Sequence, residues 1–557
     1  MTRRLSRLVR TSVGAFAVLM IVTGLFSFAP QPSAVAVGAI HQPISGAGST
    51  WSANALQQWI RNVYDNYKWQ ITYNDSGSSA GRQLFAAGTV DFGVSEIPYE
   101  LKGSDGVDPR PARGFAYVPI VAGGTALMYN LVIGGNQVTN LRLSGPTLTK
   151  IFTGVITVWN DPEVAADNPS LALPATPIVP VVRSDGSGTS AQFTAWMRQQ
   201  YPDLWNAFCA KVGRGATCGI TSNYPFVAGS SFVAQSGSNN VAGYIAQGQA
   251  VGAIGYVEYS YALNSGFPVA KVLNNADYYT EPTASNVAVS LLGATINQDT
   301  SSPDYLTQDL TGVYNNADAR SYPLSSYSYM IVPTRIENQF SEDKGLTLSD
   351  FANYFLCEGQ QQAEVLGYSP LPINLATAGL DQIKRIPGAD PAGKDISTCN
   401  NPTFSPDGSN KLANEAPQPP ACDKRGADAQ CAIGTGGAGG PGGSGGPGGT
   451  GGTGGPGGSA AGGTDAASAA AAAAASAAAG AAGTAGAGAS AIAGKAGPVT
   501  VAGTPVSIDS LVKRTPANAI AFAAGLVALL GLLLPPVISK RRRRARELKQ
   551  SSTFSSR

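Results

Sequence analysis

The chain has 557 residues, with 37 Lys and Arg against 35 Asp and Glu, a formal net charge of +2 and one histidine, His41. This length allows one large bilobed domain or two domains, with a tail besides. The near-neutral charge gives no indication of a nucleic-acid-binding surface, so no nucleic acid partner is predicted. A single histidine near the predicted mature N-terminus disfavours Ser-His-Asp and Cys-His catalysis and histidine-based metal sites. No metal and no cofactor are predicted.

The first 39 residues are typical of a secretory signal peptide. Four arginines within the first ten residues precede an apolar run from Val13 to Ala29, and the small residues 34–36 follow. This order of basic, apolar and small residues predicts export of the rest of the chain. An uncleaved membrane anchor is the alternative.

Three segments rich in glycine and hydroxyl side chains each open a predicted helix. They are Gly46-Ala47-Gly48-Ser49-Thr50-Trp51, Gly77-Ser78-Ser79-Ala80-Gly81 and Arg183-Ser184-Asp185-Gly186-Ser187-Gly188-Thr189-Ser190. Glycines let the backbone approach a ligand closely, hydroxyls donate hydrogen bonds, and a helix N-terminus offers unpaired N–H groups. Arg183 adds a planar cation suited to an oxyanion. Any one segment could be an ordinary capped helix start, but three in one domain predict a convergent anion site.

Strand-like and helical patterns alternate between about residues 44 and 386. Strands are predicted at 70–73, 91–94, 115–121, 125–130, 177–182, 253–257 and 327–332, and helices at 144–152, 192–199 and 346–356. Alternation of this kind predicts α/β lobes that bind ligands at the carboxyl ends of strands.

Six cysteines in an exported chain suggest three disulfides. The sequence leaves the connectivity open. Pairing between neighbours would give Cys209–Cys218, Cys357–Cys399 and Cys422–Cys431. The wide spacing and the absence of a CxxC motif argue against zinc.

The C-terminal end has a different composition from the body. From Gly434 the chain consists of Gly, Pro, Ser and Thr repeats and then an alanine-rich stretch at 466–479, which predicts a disordered linker at 431–510. The apolar run from Ala517 to Ile538 has the length of one bilayer crossing. A basic block follows, so the tail at 539–557 should remain cytoplasmic. A buried core helix is the alternative for 517–538.

Further motifs make the chain resemble the phosphate-binding proteins of bacterial phosphate ABC transporters, which are type II periplasmic binding proteins. Besides the three helix starts, the resemblance rests on 91–96 (DFGVSE), 151–162 (IFTG…WNDP), 252–259 (GAIGYVEY) and 322–324 (YPL), and it covers most of residues 44–386. It implies two α/β lobes that close on one phosphate ion. Lobe 1 would comprise about 44–126 and 288–386, and lobe 2 about 127–287, within a phosphate-binding domain at 40–430.

The same resemblance implies a role for each of nine residues. Thr50 and Trp51 would contact phosphate through backbone N–H groups, with help from the Thr50 hydroxyl, and Ser78 would donate from the second helix start. Arg183 would supply the cation, held in place by Asp185. The remaining donors would be Ser187, Gly188 and Thr189. Glu96 would accept a hydrogen bond from a protonated phosphate oxygen, although the family usually has Asp at that position and a smaller aromatic residue in place of Trp51.

The implied function is an extracellular, membrane-tethered protein that captures inorganic phosphate and delivers it to a phosphate ABC permease, without catalysis. Two other functions are open to this sequence. One is a surface sensing or adhesion protein that has kept the fold. The other is a secreted phosphoester hydrolase that uses Ser187 or Ser78 with Asp185, which the lack of a histidine base disfavours.

Overall fold

Strands and helices alternate along the part of the chain that the computed structural model describes, residues 40–106 and 108–439. The strands are β1 Ile44–Gly48, β2 Ile71–Asn74, β3 Phe92–Ser95, β4 Phe115–Tyr129, β5 Val132–Ile133, β6 Asn136–Gln137, β7 Arg142–Leu143, β8 Val179–Arg183, β9 Val233–Gln235, β10 Ala253–Glu258, β11 Val269–Leu273, β12 Tyr279–Thr280, β13 Thr295–Ile296, β14 Gln308–Asp309 and β15 Ser325–Pro333.

The α-helices vary in length from one turn to four. They are α1 Ala53–Tyr67, α2 Ser78–Ala86, α3 Gly145–Phe152, α4 Pro162–Asp167, α5 Gly188–Gln200, α6 Pro202–Lys211, α7 Gly237–Ile245, α8 Tyr259–Ser265, α9 Ala284–Leu291, α10 Thr311–Tyr314, α11 Glu342–Leu356, α12 Ile373–Ile383 and α13 Lys411–Glu415. Short 3₁₀ helices lie at Glu358–Gln362, Ile396–Thr398, Ala421–Asp423 and Gly436–Gly439. The α/β class predicted from the sequence is confirmed.

One continuous path of strands joins the two halves of the body in the order β2-β1-β3-β15-β4-β10-β8-β9. At one end β1 runs parallel to β2 and β3, and at the other β8 runs parallel to β9 and β10. The antiparallel strands β15 and β4 lie between these parallel groups. Because parallel strands end at a common edge, this topology brings the helix starts after β1, β2, β8 and β9 toward one cleft.

Strand β4 is a single strand of 15 residues, where the sequence predicted two strands at 115–121 and 125–130. Its first part pairs with β15 and its second part, Thr125–Tyr129, pairs with β10. The glycines between the two parts permit close packing and do not form a turn. A Cβ on Gly123 would lie 2.8 Å from the Trp51 ring, and one on Gly124 would lie 2.4 Å from Pro282.

Two large apolar cores lie at the two ends of β4. The first core contains Trp59, Phe92 and Phe355 together with Val118 and Val121 of β4, all of them fully buried. The second core contains Leu127 and Tyr129 of β4 with Trp159, Phe193 and Ile254. Residues 310–324 contribute to this second core. The lobe limits given above stay a prediction.

Three disulfides are present in the described part of the chain, and they join the neighbouring cysteines: Cys209–Cys218, Cys357–Cys399 and Cys422–Cys431. Residues 399–439 cross from the first core to the second. Near their start Thr403 Oγ1 donates to the Leu371 carbonyl at 2.7 Å. Farther on, Lys271 Nζ lies 2.5 Å from the buried Asp423 carboxylate, and Thr435 N donates to the Thr139 carbonyl at 2.9 Å.

Part of the predicted linker, residues 431–439, therefore packs on the body. Within residues 40–106 and 108–439, no helix is both long enough and apolar enough to cross a membrane. The predicted signal peptide at 1–39, the rest of the linker, the predicted membrane helix at 517–538 and the basic tail at 539–557 lie outside the described residues.

Candidate functional site

The first helix start follows β1 and supplies Thr50 and Trp51. Gly48 has φ of +142°, and a Cβ there would lie 2.1 Å from the Val94 carbonyl oxygen, so only glycine allows this turn to pass so close to β3. Ser49 Oγ accepts a hydrogen bond from Trp51 N at 2.9 Å. The Trp51 ring packs in the first core, edge-on to Tyr368. The Trp51 backbone N–H is thus bonded to Ser49 in this structure, and its ring Nε1 is buried without a hydrogen-bond partner among the described residues.

The second helix start, after β2, supplies Ser78 at the first residue of α2. Gly77 precedes it with φ of +98°, and a Cβ there would lie 2.6 Å from an Asp185 carboxylate oxygen. Ser78 is buried, and its hydroxyl donates to Glu96 Oε2 at 2.6 Å. The Ser78 Oγ atom also accepts a hydrogen bond from Gly188 N at 3.0 Å.

The third helix start follows β8, which ends at Arg183. Ser187 caps α5, because its hydroxyl accepts from Ser190 N at 3.2 Å, while its own N–H donates to the Ser222 carbonyl. Ser187 can therefore donate a hydrogen bond to a ligand only through its O–H. Thr189 is 1% exposed, and among the described residues its hydroxyl has no hydrogen-bond partner. Buried hydroxyls are rarely left unpaired, so this group is a candidate ligand donor.

Arg183 is a buried cation at the centre of the site. Its Nε donates to Asp185 Oδ1 at 2.7 Å, and its Nη2 is bonded to Asp185 Oδ2, so the pair is bidentate. Burial raises the pKa of Asp185, but the hydrogen bonds and charge of Arg183 outweigh burial and leave that pKa below its usual value. Asp185 therefore holds the guanidinium plane as a charged partner.

Glu96 is a buried carboxylate on the other side of the site, 1% exposed at the end of β3. Ser49 Oγ donates to its Oε1, and Ser78 Oγ donates to its Oε2. A Cβ on Gly188 would lie 2.0 Å from Oε2, so the carboxylate lies directly against the start of α5. Burial raises the pKa of Glu96, against the opposing effect of the two serine hydroxyls and Arg183.

The two halves of the body meet across this cleft through hydrogen bonds between site residues. Ser79 N donates to the Gly186 carbonyl at 3.0 Å, and Gly188 N donates to Ser78 as described. Thr50 Oγ1 and Ser238 Oγ are 2.9 Å apart. Apart from Ser238, the residues that close the cleft belong to the helix starts that the sequence singled out.

All nine predicted site residues are brought together at this cleft, although their roles as ligands stay a prediction. Two further residues were missed. Ser238 opens α7 after β9, and Arg183 Nη1 lies 3.3 Å from its hydroxyl; the segment Gly237-Ser238 carries the same glycine-hydroxyl signal as the other three. Ser49 was noted in its motif without a role. In the described ranges, no group of three or more Asp, Glu, His or Cys side chains is placed to hold a metal ion.

A cleft between two α/β halves that is lined by helix N-termini defines the class of two-lobed binding proteins. Residues 29–358 match the family described as a PBP superfamily domain, and the chain belongs to this superfamily. Within it, the chain belongs to the family of the phosphate-binding proteins. The phosphate-binding protein PstS of Xylella fastidiosa (strain Temecula1 / ATCC 700964) is 32% identical over 333 residues, which cover 60% of this chain and 82% of the relative.

Two more similar proteins have related names. Phosphate-binding protein PstS 2 of Mycobacterium tuberculosis (strain ATCC 25618 / H37Rv) is 30% identical over 347 residues, which cover 60% of this chain and 86% of that protein. The solved phosphate-binding protein of Stenotrophomonas maltophilia is 17% identical, with 60% of this chain and 92% of that chain covered and a TM-score of 0.44.

Proposed function

We propose that this protein captures inorganic phosphate outside the cytoplasm and delivers it to an ABC permease for import. The observation that carries the proposal is a buried cleft in which hydrogen-bond donors and the Arg183–Asp185 pair surround the Glu96 carboxylate. The donors come from separate helix N-termini, whose dipoles favour an anion. The names of the similar proteins support phosphate as the anion.

In the proposed complex the donors divide between the two halves of the cleft. The backbone N–H groups of Thr50 and Trp51, and the hydroxyls of Thr50 and Ser78, act from the first half. Arg183, Ser187, Gly188 and Thr189 act from the second half, with Asp185 holding the guanidinium in place. Two of these donors, Trp51 N and Gly188 N, are bonded to Ser49 and Ser78 in the structure, so binding exchanges these two contacts for contacts with the ion.

Glu96 provides selectivity between oxyanions. Phosphate at neutral pH keeps at least one proton and can donate to a carboxylate, whereas sulfate is fully ionised and cannot. A sulfate oxygen facing Glu96 would leave two buried acceptors without a proton between them, which is costly in a dry site. The carboxylate therefore rejects sulfate by an unfavourable contact and accepts phosphate by a favourable one.

The sequence beyond the described residues supports a tethered receptor. A signal peptide at 1–39 would export the chain, and a membrane helix at 517–538 would anchor it, with 539–557 in the cytoplasm. The linker begins where residues 431–439 leave the second half of the body. If residues 440 to about 497 form a flexible coil, as their composition predicts, these roughly 60 residues would span about 40 Å r.m.s. and would keep the receptor at high local concentration near its permease.

Isothermal titration calorimetry with the full-length protein tests the proposal. We expect one phosphate bound per chain, with arsenate competing and sulfate binding at least about 100-fold more weakly. Substitution of Arg183 by alanine should abolish measurable binding, and cells that carry only this variant should lose phosphate uptake. Phosphoester hydrolysis by the purified protein, or no heat on addition of phosphate, would refute the proposal.

A further inference from the structure

Glu96 has one methylene more than the aspartate usual in this family, and the structure shows how the longer side chain is held. Val94, two residues before Glu96 on β3, pairs with Gly48 on β1. Ser49 N donates to the Val94 carbonyl at 3.0 Å. This register fixes Ser49 beside Glu96, and both side chains are almost fully buried.

We infer that Ser49 is a positioning residue that holds the Glu96 carboxylate as an acceptor and thereby sets the discrimination between phosphate and sulfate. The inference rests on the proposed function. It goes beyond the nine predicted site residues, because Ser49 acts on the ion through Glu96.

The hydrogen-bond capacity of Ser49 supports this role. Its hydroxyl has one proton, which it donates to Glu96 Oε1, and its oxygen accepts from Trp51 N at 2.9 Å. Within the described residues, Ser49 is the only protein donor to Oε1, while Ser78 serves Oε2. Each carboxylate oxygen keeps a second acceptor position for a proton-bearing ligand. Two serines thus orient the carboxylate without using up its capacity to accept.

Loss of the Ser49 hydroxyl would leave Oε1 buried and without a protein donor. A buried, unpaired carboxylate oxygen is expensive, and protonation relieves the cost. A protonated Glu96 can donate to a fully ionised oxyanion, so sulfate would be accepted. The pKa of Glu96 is already raised by burial, and the Ser49 hydroxyl opposes that rise. Without the hydroxyl, sulfate binding should extend to higher pH.

The charged groups that face Glu96 are Arg183 and its partner Asp185, whose pKa lies below its usual value. The nearby phenols belong to Tyr73, Tyr261 and Tyr329, and burial raises the pKa of each. A pH dependence of anion selectivity between about pH 4 and 9 therefore reports on Glu96, on the ionisation of phosphate and on Glu258, a buried carboxylate near the Trp51 ring whose pKa is also raised by burial. Sulfate removes the phosphate contribution, because sulfate does not titrate there, and the difference between wild type and Ser49→Ala isolates the part that depends on Ser49.

The experiment compares the full-length wild type with Ser49→Ala and with Ser236→Ala as a control. Ser236 is the exposed residue that precedes the α7 helix start, and it makes no side-chain capping bond there. Phosphate and sulfate dissociation constants are measured by calorimetry across the pH range. We expect Ser49→Ala to lower the phosphate-to-sulfate preference about 10-fold or more and to shift the midpoint of sulfate binding upward by about 1 to 2 pH units. Ser236→Ala should stay within about twofold of wild type.

Two further variants distinguish the possible outcomes. Ser49→Cys keeps a side chain of similar size but has a weaker hydrogen-bond donor. It should therefore also lower the phosphate-to-sulfate preference, and it provides the test if Ser49→Ala does not fold. In a Glu96→Gln background, adding Ser49→Ala should change the preference no further, because the group on which Ser49 acts is gone. The inference is overturned if the phosphate-to-sulfate preference is unchanged in folded Ser49→Ala or Ser49→Cys. It is also overturned if Ser49→Ala lowers that preference further in the Glu96→Gln background. Failure of the wild type to bind phosphate instead overturns the proposed function.

Discussion

Substitution of Ser238 by alanine tests whether the fourth helix start belongs to the binding site. The Ser238 hydroxyl is fully buried, lies 2.9 Å from Thr50 Oγ1 and accepts from Arg183 Nη1 at 3.3 Å. Alanine would remove both contacts. Thr50 Oγ1 would keep its hydrogen bond from the backbone N–H of residue 238, at 3.3 Å. Arg183 Nη1 would lose its hydrogen bond to the Ser238 hydroxyl.

The cost follows from these contacts. A hydrogen bond to a charged donor contributes about 1.5 to 3 kcal/mol, and the long Arg183 contact places this one near the lower value. A loss of about 1.5 kcal/mol corresponds to about a 10-fold weaker phosphate affinity. Because Thr50 and Ser238 come from opposite halves and meet only when the cleft is closed, the loss should increase the dissociation rate and leave the association rate nearly unchanged.

Stopped-flow measurement of phosphate dissociation, combined with calorimetry, provides the assay. Ser236→Ala is the matched control, since Ser236 is the exposed N-cap of the same helix and makes no side-chain capping bond there. A dissociation rate for Ser238→Ala within about twofold of the control would refute the reasoning. A change confined to the association rate would contradict the role in closure.

Three other predictions concern stability and anchoring. Asp423→Ala leaves the largely buried Lys271 ammonium unpaired, so we expect the free energy of unfolding to fall by about 3 kcal/mol in urea denaturation, and an unchanged value would contradict it. The pKa of Asp185 is lowered in the folded state, so its stabilising contribution is present above its unfolded pKa of about 4 and is lost as the pH falls further. The difference in the free energy of unfolding between wild type and Asp185→Asn should therefore decrease below about pH 4. An increase of this difference below pH 4 would contradict the prediction. Deletion of residues 515–557 should release the protein into the medium with its phosphate affinity unchanged; a truncated chain that stayed on the cells would disprove the proposed anchor.

The elements that the sequence predicted well are those with local signals. The β-branched run before Arg183 and the glycine-hydroxyl pattern after it specify a strand, a turn and a helix start within a few residues. The local sequence does not show that the two predicted strands form one continuous strand, β4. Gly123 and Gly124 resemble a turn in sequence, and only the Trp51 ring and Pro282 packed against them explain an uninterrupted strand.

The missed site residues have a common physical cause. The role of Ser49 depends on Glu96, 47 positions away, and that of Ser238 depends on Thr50, 188 positions away. A serine at a helix start carries the same local signal whether it caps the helix, orients a carboxylate or bridges a cleft. The packing of 431–439 was missed for a related reason, since Thr435 is buried by contacts with Thr139 and Val269 that its glycine-rich neighbours do not indicate.

Equilibrium dialysis of the full-length protein against radiolabelled phosphate at neutral pH, with unlabelled sulfate and arsenate as competitors, tests most directly whether the cleft holds a protonated oxyanion. We expect one phosphate per chain, displaced by arsenate and unaffected by sulfate in large excess. In Glu96→Gln, sulfate should become an effective competitor. Displacement of phosphate by equimolar sulfate from the wild type, or no retention of phosphate, would contradict a site in which four helix starts and the Arg183–Asp185 pair face the Glu96 carboxylate.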